Sequence, residues 1–182
     1  MDLFEAIKGR RSIRAYKDEP VDEKDLYKML KYATYAPSAG NLQPWEFIIV
    51  KSEEKKKALA KAAYSQMFIT EAPIVIVVCA NIPRTSIYYG SRGENLYVIQ
   101  DTAAAIQNLL LVAYALGYGT CWVGAFDEDE VRRILGLPNY VRPMAIIPIG
   151  RPKRIPKMPP RIPVERLTHY EKFGNPYKWK NT

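Results

Sequence analysis

Residues 36–50 read APSAGNLQPWEFIIV. Two prolines, a glycine, a serine, an asparagine and a glutamine stand between Ala36 and Trp45. WEFIIV then has the apolar, partly β-branched character of a buried strand. A plain turn needs fewer such residues. The excess reads as a loop that hydrogen-bonds a flat polar ligand just before the chain enters its core.

Working outward from this stretch gives the organisation of the chain. Upstream, a helix begins at Asp22, with Leu26, Met29, Leu30 and Ala33 on one face, and ends before Pro37. Before it, Asp2 and Glu5 have capping-box spacing, Leu3, Ala6 and Ile7 give an apolar face, and the helix stops near Gly9. Downstream, a charged helix is expected from about Glu53 to Tyr64, then a fully apolar strand, APIVIVVCA, at 72–80. Residues 81–93 read as a loop. The stretch 95–116 is apolar nearly all round, the mark of a helix buried on every side in a domain centre or a subunit interface. GTCWVGAF reads as a strand or loop, DEDEVRRILGL as a short amphipathic helix, and MAIIPIG as the last core strand. No Gly-rich strand-to-helix turn is present, which disfavours a doubly wound sheet. The pattern predicts an α+β layer, helices around a small mixed sheet.

Composition agrees. A chain of 182 residues, 48% apolar and 25% charged, is long enough for one globular domain. No apolar run approaches the ~20 residues that span a bilayer, and MDLFEAIKGRR does not read as a signal peptide. Cys79 and Cys121 lie in apolar contexts without metal-ligand spacing, which suits a reducing cytoplasm. The net charge of +8 is uneven: residues 151–182 hold +7 of it, together with six of the fourteen prolines. The chain therefore divides into a core at 1–150 and a basic, proline-rich arm at 151–182. Such an arm suits nucleic acid, an anionic ligand or an acidic groove on a partner, but no nucleic-acid reading motif accompanies it.

Familiar catalytic constellations are missing. The one histidine, His169, is in the arm, and GxSxG, HExxH and Walker motifs are absent. Cys79 reads as a core residue; Cys121 follows a Gly-Thr turn, where a reactive thiol and plain packing both fit. No metal site and no catalytic side chain are predicted, so a cofactor would carry any reaction. Arg10, Arg11, Ser12 and Arg14 follow the first helix. They read either as a solvated basic turn or as guanidinium forks for phosphate, with Arg10, Ser12 and Arg14 on one side of an extended segment.

Four pieces in order, RRSIRAY, APSAGNLQPWEFIIV, DTAAAIQNLLLVAYALGYGTCWVG and IPIGRP, resemble the FMN-dependent nitroreductase family along most of the chain. That resemblance implies a nitroreductase-like α+β fold, helices around a mainly antiparallel sheet, with the C-terminal arm exchanged onto a partner subunit. It implies a homodimer with FMN at the subunit interface and NADH or NADPH as reductant. The reaction would be a ping-pong hydride transfer through flavin N5 to a small electron-poor acceptor, such as a nitroaromatic or a quinone. Arg10 and Ser12 would hold phosphate and ribityl, with Arg11 also among the cofactor-binding residues and Arg14 at the N1/C2 edge of the ring. Pro37, Ser38, Ala39 and Asn41, with Gln43 beside them, would reach a flavin bound mainly by the other subunit. Trp122, Val123 and Gly124 would bring a backbone amide to N5, Gly150 and Arg151 would lie near the phosphate, and Gln66 would reach a ring carbonyl or simply be an exposed helix-end residue. Neither nucleic acid nor membrane is implied. Alternative readings are a specialised flavin enzyme of the same family (a dehydrogenase, reductive dehalogenase or flavin-cleaving enzyme) and a nucleic-acid or acidic-partner binding module built on the arm.

Overall fold

A computed structural model describes residues 2–180. Its helices are α1 (Leu3–Gly9), α2 (Glu23–Ala33), α3 (Glu53–Ala62), α4 (Ile82–Arg92), α5 (Val98–Ala115) and α6 (Glu128–Leu135). Its strands are β1 (Trp45–Val50), β2 (Ile74–Asn81), β3 (Gly119–Thr120) and β4 (Val141–Gly150), in the sheet order β1-β2-β4-β3. Among the described residues every strand pair is antiparallel, and the one parallel element is the bridge between Ser12 and Thr120.

The all-apolar sequence of β2 follows from helices on both sheet faces. Ile74, Ile76 and Val78 share one core with Leu26 and Met29 of α2 and with Ile106 and Leu109 of α5. Their alternates Val75, Val77 and Cys79 join a second core with Leu59 of α3 and Val131 of α6. A strand wet on one face would have alternated polar residues; here both sets are buried.

Caps place the helices where the sequence predicts them. Asp2 accepts from the Glu5 N–H at 2.8 Å while the Glu5 carboxylate accepts from the Asp2 N–H at 3.1 Å, a complete capping box. Asp22 caps α2 through the Lys24 N–H at 2.7 Å.

Two expectations change. Residues 81–93 are mostly helix α4: Pro83 lies in its first turn, where a missing N–H costs nothing, and Gly90 at φ 53 supplies the break that the glycine signalled. A π-helical turn over Gly93–Tyr97 then leads into α5. Within this chain α5 is buried on one face only, while Ile99, Gln100 and Gln107 are exposed. The helical run Ile82–Ala115 is also long and apolar enough, by length and composition, to cross a membrane, contrary to the sequence estimate. Its α5 part nevertheless forms the core layer on the sheet.

Beyond β4 the chain pairs with the segment after α1: Lys17 donates to Arg151 O and Lys153 to Ala15 O, both at 2.9 Å. From Lys153 to Lys180 the side chains are almost all exposed, including Ile155, Ile162, Leu167 and Phe173.

α6 is fastened to β4 by a two-pronged ion pair, Arg142 Nε and Nη2 to Glu128 at 2.9 and 2.8 Å. The Arg142 hydrogen bond holds the Glu128 carboxyl below the ordinary carboxylate range. A depressed folded pKa contributes stability above the unfolded value and loses it as pH falls through the folded one. Glu128→Gln is therefore expected to cost about 0.2–1 kcal/mol at neutral pH, the value of a solvent-screened pair, with the deficit vanishing in acid. Chemical denaturation of both proteins across pH checks this; an equal deficit at low pH would remove the ion pair as its cause.

Candidate functional site

The basic segment is placed by the edge of the sheet. α1 ends at Gly9, where a Cβ would lie 2.0 Å from the Tyr114 hydroxyl oxygen, and the chain then runs extended along β3. Ile13 donates its N–H to Thr120 O at 2.8 Å, and Ser12 bridges Thr120 in parallel. Ile13 and Tyr16 point into the core, and the Tyr16 hydroxyl donates to Ile13 O at 2.7 Å. Burial pushes that phenol far above its ordinary pKa, so it stays protonated. With Ile13 and Tyr16 inward, Arg10, Ser12 and Arg14 are left for the outer side.

These residues meet the root of the arm. Arg10, Arg11, Ser12, Arg14, Lys157 and Arg161 line a half-open cavity of about 270 Å³, closed by Pro156 and Pro159. Among the described residues no carboxylate lines it. Arg11 also donates to Lys8 O and Arg10 O at 2.6 and 2.7 Å, so part of its fork closes the end of α1. Arg14 lies over the Phe68 ring, its guanidinium carbon 5.8 Å from the ring centroid.

Arg151, the arm residue favoured as a phosphate ligand, is placed elsewhere. Its Nη1 donates to Leu116 O at 2.8 Å, and its guanidinium stacks on Tyr118 at 3.9 Å. Gly117 makes room, since a Cβ there would be 2.7 Å from that nitrogen. Arg151 thus caps α5, and Lys157 and Arg161 are the arm cations beside Ser12. Gly150 packs on Pro73, which a Cβ would meet at 2.7 Å.

The polar loop forms a second cluster. Gly40, Asn41 and Gln43 all have left-handed backbones, at φ 56, 56 and 50, a strain that the surroundings must impose on Asn41 and Gln43. They do so from within and without. Ser38 Oγ accepts from the Gln43 N–H at 3.0 Å, and the Gln43 amide donates to Asn41 O at 3.2 Å. Arg84 of α4 donates to Gln43 O at 3.1 Å, and the Tyr89 hydroxyl closes over Gly40. Asp101 of α5 accepts from the Ala39 N–H at 3.1 Å. Pro37, Asn41 and Gln43 are exposed and Ser38 and Ala39 half-buried. Among the described residues, no hydrogen bond joins this loop to Arg10–Arg14.

The third element is the turn after β3. Val123 is buried and exchanges both backbone hydrogen bonds with Ile146 at 3.0 Å, so its own N–H is spent. The half-exposed Trp122 and the exposed Gly124 flank it. Gln66 fastens this turn rather than standing free: its amide nitrogen donates to Ala63 O at 3.0 Å and to Ala125 O at 3.3 Å. Cys121 is buried, and desolvation raises its thiol pKa despite Arg14, Ser12 and Arg10 nearby. Burial and the raised pKa both disfavour a thiolate there, and Cys121 packs into the second core.

Sequence reading missed Asp101, Arg84 and Tyr89. The signal for Asp101 was present, since it is the one charged residue within α5. Arg84 and Tyr89 are hidden because Pro83, Gly90 and the serines give residues 81–93 the composition of a loop.

A family model described as the nitroreductase family matches residues 7–73 and 62–151. An NADH dehydrogenase of Thermus thermophilus is 34% identical over 92% of this chain and 95% of its own. An NAD(P)H FMN reductase of Bacillus subtilis is 30% identical over 96% of this chain and 75% of its own. The crystal structure of nitroreductase A from Vibrio parahaemolyticus superposes with a TM-score of 0.88 at 27% identity, covering 96% of this chain and 78% of that one.

The close crossing at β3 gives a test of how the basic segment is held. A Cβ on Gly119 would stand 2.6 Å from Ile13 Cγ1 and 2.9 Å from Ile13 Cβ, so the segment must move. Gly119→Ala is expected to destabilise the fold by about 1–3 kcal/mol, the usual cost of overpacking, in a denaturant titration. Full stability in this variant would mean that Ile13 is not pinned against β3.

Proposed function

The chain belongs to the nitroreductase family, and from that premise we propose that it is a homodimeric FMN-dependent oxidoreductase passing two electrons from NADH or NADPH to an electron-poor acceptor. The observation that carries the reading is the cavity beside Ser12, lined by cationic and hydroxyl donors and, among the described residues, by no carboxylate. That donor set fits a phosphate monoester, which guanidinium forks hold through paired charge-assisted hydrogen bonds. Arg10, Ser12, Lys157 and Arg161 would bind that phosphate. Bound FMN supplies the hydride chemistry at its N5, with reductant and acceptor using one open face in turn.

The protein's share is binding, orientation and electrostatics. Arg14, braced over Phe68, sets a fixed cation beside the cavity, where it favours an electron-rich ring over a neutral one. The turn Trp122–Gly124 offers backbone N–H groups at its two flanking residues, because that of Val123 is spent on Ile146. Gln66 keeps the turn in place through Ala125 O.

The polar loop enters through symmetry. It makes no hydrogen bond to the basic segment of its own chain among the described residues, and a two-fold dimer lets the loop of one protomer serve the cavity of the other. The exposed Leu3, Phe4 and Ile7 of α1, the outer face of α5 and the arm's apolar side chains supply surface for that interface. On this reading residues 151–182 form an arm, rooted on residues 15–17, that crosses the partner. Two buried free cysteines suit a reducing compartment such as the cytoplasm. Nitroaromatics and quinones are the acceptors to try first.

The purified protein is expected to carry FMN with an absorption band near ~450 nm, to bleach with NADH or NADPH under anaerobic conditions and to recover colour on adding a quinone. A chain cut after Lys153 is expected to elute as a monomer and to lose the band. A full-length protein that takes up no FMN at micromolar concentration would overturn the flavin reading; a truncated protein that stays dimeric and yellow would overturn the crossing arm.

A further inference from the structure

Asp101 stands out among the residues that sequence reading passed over. It lies in the first turn of α5, a helix whose other inward side chains are apolar or hydroxyl-bearing, and only 6% of it is exposed. Oδ1 accepts from the Ala39 N–H at 3.1 Å, sixty-two residues earlier in the chain. Oδ2 is buried with no partner among the described residues. Burying a carboxylate with half its acceptor capacity idle is costly. Plain helix packing at this position would be better served by alanine or threonine, which occupy the next positions, so the contact to Ala39 is what the burial secures.

That contact sits at a critical point of the loop. Ala39 opens the 3-10 turn Ala39–Asn41, after Ser38 in an extended conformation. The N–H groups at the start of such a turn have no partner inside it. The Ser38 side chain does not cap it, because its Oγ accepts instead from the Gln43 N–H. Asp101 takes over the cap from another element. The residues that follow at once, Gly40, Asn41 and Gln43, have the left-handed backbones that need external support.

We propose that Asp101 is the positioning residue of the 38–43 loop, its Oδ1 holding the Ala39 N–H so that Ser38, Asn41 and Gln43 are presented to the cofactor. The proposal rests on the flavin reading above only for what the loop presents itself to. A charge-assisted N–H···O⁻ bond is stronger than a neutral one, which accounts for an aspartate where an asparagine has the same shape. Because α5 is also a layer of the core, the loop is tied to the rigid centre of the fold rather than to a neighbouring surface turn.

Two changes remove the contact from opposite sides. Asp101→Ala deletes the acceptor. Ala39→Pro deletes the donor at the first position of the turn, where proline is tolerated and the extended Ser38 suits a following proline. Each is expected to speed hydrogen exchange across residues 40–43 in the FMN-free protein, with exchange in β2 and α5 unchanged. Each is also expected to weaken FMN binding about tenfold, the scale of one charge-assisted hydrogen bond. The double variant should be no weaker than either single one. Asp101→Asn, which keeps an oxygen at the same place, should recover binding to within about threefold of the parent.

The proposal is overturned if Asp101→Ala leaves loop exchange at the parental rate, or if Asp101→Asn behaves like Asp101→Ala. It is also overturned if the two single effects add in the double variant. Hydrogen exchange is read without cofactor, so a parent protein that binds no FMN would sink the flavin reading while the tie between Asp101 and the loop is still decided by the exchange rates.

Discussion

The hydrogen bond from the Ile13 N–H to the Thr120 carbonyl, 2.8 Å long, fixes the geometry on which the proposed site depends. It lays the segment after α1 along β3, where alternation turns Ile13 inward and leaves Arg10, Ser12 and Arg14 on the cavity side, before Tyr16 is buried at the end of the stretch. The next residues on the same segment receive the root of the arm, through Lys17 to Arg151 and Lys153 to Ala15. One short stretch thus gathers cations from two ends of the chain. Only a glycine at position 119 lets the backbones approach this closely.

Much of this was legible in the sequence, for identifiable reasons. The capping box at Asp2 and Glu5, the cap at Asp22 and the apolar period of α2 are local signals, and they gave both helices nearly to the residue. The apolar run of β2 announced a strand covered on both faces. α4 was not legible, because Pro83, Gly90 and the serines look like loop punctuation until one sees that the proline opens the helix and the glycine breaks it. The role of Arg151 was hidden too. Its partner Leu116 is thirty-five residues away, and a basic residue after a last strand reads the same whether it caps a helix or binds phosphate. Gln66 shows the same limit, since nothing local says that its amide reaches Ala125.

The placement of the cysteines and the lone histidine narrows the chemistry left to side chains. Burial pushes the Cys79 thiol up to about 12 and raises that of Cys121. His169 packs against Phe173 with tilted rings in the exposed arm and is not among the residues that line the cavity beside Ser12. On the proposed reading the protein therefore works by holding charge and orienting a cofactor, through Arg14 on its aromatic brace and a loop strained into left-handed turns.

The central claim is that the basic cavity of one chain and the polar loop of another complete a single site. Subunit complementation tests it most directly. Arg10→Ala with Arg14→Ala empties the cavity in one variant; Asn41→Gly with Gln43→Gly strips the loop in the other while tolerating its left-handed backbone. Each alone should bind almost no FMN. Mixed and allowed to exchange subunits, they should recover about a quarter of the parental FMN sites, because half of the dimers are then mixed and each has one intact pairing of cavity and loop. A mixture that binds no more FMN than its two components would contradict the shared site and place cavity and loop on the same chain.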